Sequence, residues 1–262
     1  MIASGSRLLG LAGLTATVPP WLLPYRDVVG QLIACADNTE SLCETLNRAL
    51  TKQAPVSLTA GLLTFVSQLD LPAGEAYEAF ISRTACVPTR DNLHDLFNGL
   101  VWLKFPQLKR RLNELQAQQL QQDGVMSTRG PVRDALTLFD ENAAVLQAPG
   151  VIAEALRARD WQALFVTHRA AWADASLTLF GHALLEKLTQ PRKAMTAHVW
   201  VIPQHVDLQT HLIGVLTPEL LASKPHLPLP VLGVPGWWAA NEMASYYEDT
   251  QVFRPVNRTR KG

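Results

Sequence analysis

Residues 92–103 read NLHDLFNGLVWL, and this stretch says most about the fold. A helix that is apolar on every side is normally buried. This one nevertheless carries His94, Asp95 and Asn98, and burying such groups costs several kcal/mol unless each finds a partner. His94 and Asn98 share a helix face, whereas Asp95 points about 100 degrees away from His94. The stretch therefore predicts a buried helix whose polar groups form a structural network or line a cleft.

Helical patterns continue towards the N-terminus. Residues 24–53 carry apolar side chains at intervals of three and four, with a break at Asp37-Asn38, so they predict a helical hairpin. Residues 62–66 are rich in Leu, Thr, Phe and Val and predict a short strand. A helix over 75–84 follows the break at Gly74.

Two further helices meet near the end of the opening stretch. We expect Thr89 or Asp91 to cap a helix that runs to Lys104. Residues 105–123 predict a second helix, because proline is tolerated in a first helical turn. Its leucines fall on one side and Lys109 largely on another, which is typical of an amphipathic surface helix.

The second half of the chain is predicted to be helical first and irregular later. Residues 151–190 predict a long helical region with breaks near Asp160 and Asp174, while 197–202 and 209–216 have compositions closer to strands. Proline excludes a regular helix or a central strand from 225–235, which we expect to form an extended arm.

The fold class is therefore mainly α with a minor β component. We expect a single compact helical domain over residues 21–255 with a Pro-rich extended C-terminal arm. An N-terminal extension, 1–20, and a basic tail, 256–262, would flank this domain.

Composition excludes several classes of protein. The 262 residues are 48% hydrophobic, and 23 cations balance 23 acids, so nothing in the overall charge favours nucleic acid or an anionic membrane. The three cysteines form no disulfide framework and no C-x-x-C pair, so a cytoplasmic location is the default expectation. No apolar run reaches the roughly 18 residues that a membrane span needs. Residues 8–14 resemble a short signal-peptide core, with an N-terminal extension as the alternative.

A second polar group follows the apolar run 135–139. Asp140, Glu141 and Asn142 are the side chains that a helix N-terminus or an oxygen-rich metal site would use. Arg133 precedes them and could form an ordinary ion pair or bind an anion.

A third polar group is the pair His182 and Glu186. These residues are one helical turn apart, so they can hydrogen-bond each other or converge on one ligand. Two groups are too few for a metal. His94 with a carboxylate from another segment would complete a set suited to iron, manganese or zinc, provided that the fold brings distant helices together.

Several motif strings are similar to those of one bacterial family. They are VPTRDNLHDLFN at 87–98, TLFDEN at 137–142, FGHALLE at 180–186, GVPGWW at 233–238 and VFRP at 252–255. Over roughly residues 21–255 the chain resembles the family catalogued as domain of unknown function number three thousand and twenty-five. The resemblance implies no reaction, and no catalytic residue follows from it.

The first functional hypothesis is metal-assisted hydrolysis of a small-molecule ligand in a polar cleft, with a divalent transition metal as cofactor. His94 and His182 would be the metal ligands. The other candidates are Asp95, Asp140, Glu141 and Arg133 in catalysis and Asn98, Asn142 and Glu186 in binding.

The alternative is a non-catalytic binding or interaction protein. The same polar residues would then form a buried structural network. Trp237-Trp238 and Tyr246-Tyr247 would belong to a partner-binding surface or would anchor the C-terminal arm.

Overall fold

The structure is a computed structural model that describes residues 18–36, 40–123 and 130–255. The predicted signal-like segment, 8–14, and the basic tail, 256–262, lie outside the described residues, as does the predicted N-terminal extension apart from residues 18–20. None of the helices in these three ranges has the length and hydropathy of a segment that spans a bilayer.

The first half of the chain is mainly helical. The helices are α1 (Arg26–Cys35), α2 (Leu42–Leu50), α3 (Tyr77–Thr84), α4 (Leu93–Lys104) and α5 (Pro106–Asp123). Between α2 and α4 lie two small sheets: β1 (Ser57–Leu58) pairs antiparallel with β2 (Gly61–Leu62), and β3 (Thr64–Ser67) pairs parallel with β4 (Cys86–Thr89).

The second half alternates helices with the strands of a four-stranded sheet. The helices are α6 (Pro131–Asn142), α7 (Gly150–Ala158), α8 (His182–Lys187), α9 (Leu208–Val215) and α10 (Pro218–Ala222). The strands are β5 (Ala143–Gln147), β6 (Ser176–Leu179), β7 (Thr196–Ile202) and β8 (Leu227–Pro230). The sheet order is β6-β5-β7-β8, in which only β5 and β7 are parallel.

The structure confirms a mainly helical fold with a minor sheet component. The hairpin of α1 and α2, the helix pair α4 and α5, and the strand β7 all lie where the sequence predicts them. The proline-rich stretch provides β8 at the edge of the four-stranded sheet, followed by a 3-10 turn over Val231–Gly233.

Four local predictions are wrong. Residues 209–216 form a helix, and residues 151–190 include the strand β6. Asp140, Glu141 and Asn142 end α6 and therefore cap no helix N-terminus. The cap of α4 is the Asn92 side chain, which accepts from the main-chain N–H of Asp95 at 2.7 Å.

The C-terminal aromatic residues pack against the hydrophobic core, where Trp237 and Trp238 are half-buried. Tyr246 and Tyr247 are buried, and their rings contact Phe253 at centroid distances of 5.8 and 5.2 Å. Trp237 packs against Trp21 at 6.0 Å. These contacts attach the C-terminal segment to the rest of the protein, which is the anchoring alternative from the sequence.

An aromatic cluster holds the elements that will carry the site. The ring of Phe139 in α6 packs against Phe180, which precedes α8, and against Trp200 in β7, at centroid distances of 5.1 and 5.0 Å. Phe105, between α4 and α5, contacts the other side of Phe180 at 5.8 Å. Pairs with this geometry stabilise a fold by about 1 kcal/mol each beyond their buried area.

Gly181 allows α8 to begin directly against the end of α6. A Cβ atom on Gly181 would lie 2.4 Å from the main-chain nitrogen of Asn142 and 2.5 Å from the carbonyl oxygen of Glu141. Both obstacles are main-chain atoms, so no side-chain rotation could relieve the overlap.

We predict that Gly181→Ala lowers the free energy of unfolding by about 2 kcal/mol or more, because the two main chains must separate. Gly150→Ala is the matched control, since an added methyl group there meets nothing within 4 Å. It should change stability by less than about 0.5 kcal/mol. Urea denaturation measures both values, and equal losses in the two variants would contradict the close approach.

Candidate metal centre

Three helices bring two imidazoles and one carboxylate together. His94 lies in the first turn of α4, Glu141 is next to last in α6, and His182 is the first residue of α8. One potential ligand atom from each residue lies within 4.8 Å of the other two. The described residues contain no other such group of three or more.

The hydrogen bonds of the two histidines define which nitrogen faces the centre. His94 Nδ1 lies 2.9 Å from Glu186 Oε2, and His182 Nδ1 lies 2.8 Å from the main-chain oxygen of Asp140. Both partners accept hydrogen bonds, so each Nδ1 carries the proton. In the neutral form of each ring, the Nε2 atom then presents a lone pair.

The two Nε2 atoms face each other at 3.1 Å. Two lone pairs at this distance repel unless a proton or a cation lies between them. Two imidazole nitrogens bound to one tetrahedral zinc ion are about 3.3 Å apart, so the spacing also suits a shared metal. Glu141 Oε1, 4.0 Å from His182 Nε2, could supply an oxygen ligand to the same ion.

Burial controls the charge of these groups. It lowers the pKa of His182 to about 4, against the opposing effect of the Asp140 carboxylate. His182 is therefore neutral near pH 7, which is the form that binds metals. Burial also raises the pKa of Glu141, and a bound cation would favour its ionised form.

A buried lysine connects the centre to a hydrogen-bond network. Lys109 of α5 is only 5% exposed, and its Nζ lies 2.5 Å from Asp140 Oδ1 and 2.9 Å from Asn98 Oδ1. The Asn98 amide donates in turn to the Tyr77 hydroxyl at 3.0 Å. Burial alone would raise the pKa of Asp140, but Lys109 and the imidazoles hold it below its usual value.

Asp95 is occupied by a separate ion pair. Its two carboxylate oxygens each lie 3.0 Å from the Arg90 guanidinium, and the main-chain N–H of Arg90 also donates to Oδ2 at 2.6 Å. This bidentate arrangement ties the end of β4 to the start of α4. Both carboxylate oxygens of Asp95, a predicted catalytic residue, are therefore occupied by this ion pair.

These groups line one cavity of about 310 Å³, which we call the polar cavity. It is bounded by residues of α3, α4, α5, α6 and α8. Six of the candidate residues from the sequence line it: His94, Asp95, Asn98, Asp140, Glu141 and His182.

The other three candidates lie elsewhere. Glu186 contacts the outer nitrogen of His94 instead of His182. Asn142 donates to the main-chain oxygen of Thr196 and to His198 Nδ1, so its amide faces β7. Arg133 lies in the first turn of α6 and is not among the residues that line the polar cavity.

Sequence reasoning missed Lys109, Tyr77 and Trp102, which all line the cavity. The periodicity of α5 assigned Lys109 to a solvated side, yet the structure buries it. Its position three residues before Leu112, on the same helix face, was the available signal. Tyr77 and Trp102 resembled ordinary core residues.

We predict that Lys109→Met destabilises the protein by about 3 kcal/mol, because it leaves the Asp140 carboxylate without its partner in a buried site. Lys104→Met should cost less than about 1 kcal/mol, since the Lys104 pair with Asp27 is a surface ion pair. Chemical denaturation compares the two.

Adding Asp140→Asn to Lys109→Met should recover part of the lost stability, because no unpaired charge remains. Additive losses from the two changes would show that the pair does not interact as described.

A protein-family model described as protein of unknown function (DUF3025) matches residues 63–257 of the chain. The match includes every residue that lines the polar cavity. No curated protein and no solved structure shows detectable similarity to the chain. Because the match covers well over half of the sequence, and in agreement with the motif strings, the chain belongs to the DUF3025 family.

Proposed function

We propose that the protein is a metal-assisted hydrolase in which His94, Glu141 and His182 bind one divalent transition metal. One observation carries the proposal: the Nε2 atoms of the two histidines face each other at 3.1 Å while both Nδ1 atoms are held by acceptors. A cation between the rings would remove the lone-pair repulsion and would use the nearby Glu141 carboxylate.

The ligand set suits catalysis better than a purely structural role. Structural zinc sites use four protein ligands, whereas catalytic sites use three and leave a position for water. A metal in this site would lower the pKa of its bound water and so supply hydroxide near neutral pH. Two imidazoles and one carboxylate also suit iron and manganese, but water activation needs no redox change.

The surrounding residues orient the ligands. Glu186 holds the His94 ring, and the main-chain oxygen of Asp140 holds the His182 ring. Such outer contacts set the tautomer of a metal-binding histidine and increase its affinity for the ion. Lys109 keeps the Asp140 carboxylate away from the ligand position.

The competing proposal is a non-catalytic protein with a buried polar network. Two ion pairs favour it, Arg90–Asp95 and Lys109–Asp140. Within each pair the two charges neutralise each other, so no ligand is needed. In that account a proton lies between His94 and His182, and Glu186 balances the charge of a His94 imidazolium.

We predict one equivalent of a transition metal in protein purified without an affinity tag, measured by elemental analysis. His94→Ala, His182→Ala and Glu141→Gln should each lower the affinity for Zn²⁺ at least a hundredfold, because a two-ligand site remains. His198→Ala is the control, since His198 pairs with His226 outside the polar cavity.

Hydrolysis of a panel of esters, amides and phosphoesters should stop on chelation and return with the metal. A metal content unchanged in all three ligand variants would overturn the proposal. Metal binding without any hydrolysis would remove the enzymatic half of it.

We predict that Glu186→Gln lowers metal affinity by about 10- to 100-fold without unfolding the protein. The amide is a weaker acceptor for His94 Nδ1 and lets the ring turn. Glu242→Gln makes the same change at a more exposed carboxylate, which pairs with Arg169 outside the polar cavity, and it should leave the affinity unchanged. Calorimetric titration with Zn²⁺ measures both. Equal affinities for the two variants would exclude a positioning role for Glu186.

A further inference from the structure

Along one face of α4, the side chains that line the polar cavity become progressively less exposed. His94, Asn98 and Trp102 are spaced by four residues and so share a helix face. The His94 side chain is 33% exposed, whereas Asn98 is 6% and Trp102 only 1% exposed. With a rise of 1.5 Å per residue, Asn98 lies about 6 Å and Trp102 about 12 Å along the axis from His94. The metal centre is therefore near the mouth, and Trp102 is at the inner end.

The inner end offers hydrogen-bond donors. Among the described residues, nothing accepts from the buried indole N–H of Trp102. Lys109 uses two of its three ammonium hydrogens on Asn98 and Asp140 and lies 5.3 Å from the centre of the Trp102 ring. The Tyr77 oxygen accepts from Asn98, which leaves the hydroxyl hydrogen to donate. A ligand at this end must supply acceptors.

The charge of the cavity disfavours an anionic acceptor. Its lining contains two cations, Arg90 and Lys109, against the four carboxylates of Glu78, Asp95, Asp140 and Glu141. Both cations are already paired with carboxylates. A phosphate or carboxylate would enter without a compensating charge, at a cost that a neutral acceptor avoids.

We propose that the inner end of the polar cavity binds an uncharged carbonyl group of the substrate, of the kind found in amides. The Trp102 indole N–H, supported by Tyr77 and Lys109, donates to this oxygen, while the other end of the molecule lies at the centre formed by His94, Glu141 and His182. The second half of this inference rests on the proposed function. The first half does not, because it concerns donors that need no metal.

The test is a titration followed by the indole N–H signals in a nitrogen-15 NMR spectrum. Three probes with the same four-carbon chain are used: butyramide, butyrate and butylamine. Butyramide should shift one indole signal in a saturable way, and Trp102→Phe should abolish that signal. Butyrate and butylamine should not shift the Trp102 indole signal of the unmutated protein. A larger shift with butyrate, or none with any probe, would overturn the proposal.

A second pair of variants keeps the test valid if Trp102→Phe does not fold. Tyr77→Phe should weaken butyramide binding about three- to tenfold, as expected for loss of one hydrogen bond. Tyr246→Phe removes a hydroxyl group that lies outside the cavity and has no partner among the described residues, so it should have no effect. Equal affinities for the two variants would count against the donor cluster.

Running each titration on the protein as purified and again after chelation separates the two proposals. Butyramide binding that survives chelation supports the carbonyl site even if the metal proposal fails. Loss of binding only on chelation would assign the amide to the metal centre and would overturn the inner site.

Discussion

The site depends on one main-chain contact, the approach of Gly181 to the end of α6. Any side chain at this position would overlap main-chain atoms of Glu141 and Asn142. The contact places His182 where its Nδ1 reaches the carbonyl oxygen of Asp140 and its Nε2 faces the carboxylate of Glu141. The aromatic rings of Phe139 and Phe180 also pack against each other, which holds α6 and the start of α8 together. Local backbone packing thus defines the geometry between two candidate metal ligands, Glu141 and His182, that are 41 residues apart.

The polar groups of the cavity divide into two sets with different physical roles. Arg90 with Asp95 and Lys109 with Asp140 are matched pairs, and their burial is compensated within the protein. Among the described residues, nothing accepts from the Trp102 N–H, and the two facing Nε2 atoms have only each other as a hydrogen-bond partner. The first set fits the structural hypothesis from the sequence. The second set supports the ligand chemistry that we propose.

Sequence patterns predicted the helix that carries the site, because its apolar residues on every side demand burial and its three polar residues demand partners. They could not predict the meeting of His94 and His182, which lie 88 positions apart and on different helices. Strand β5 reads AAVLQ without alternation, as is typical of strands covered on both faces, so it carried no strand signal. Residues 209–216 have strand-like composition, yet Asp207 caps a helix there by accepting from Thr210. Burial of Lys109 depends on an acid from another helix, which no local pattern reveals.

Anomalous diffraction from crystals of the protein grown with Zn²⁺ tests the central claim most directly. The account predicts one strong peak about 2.0–2.2 Å from His94 Nε2, from His182 Nε2 and from a carboxylate oxygen of Glu141, with a remaining position open to water. A map without a peak there, in which the two Nε2 atoms stay at hydrogen-bond distance, would contradict the account. It would show that a shared proton, and not a metal, joins the two histidines.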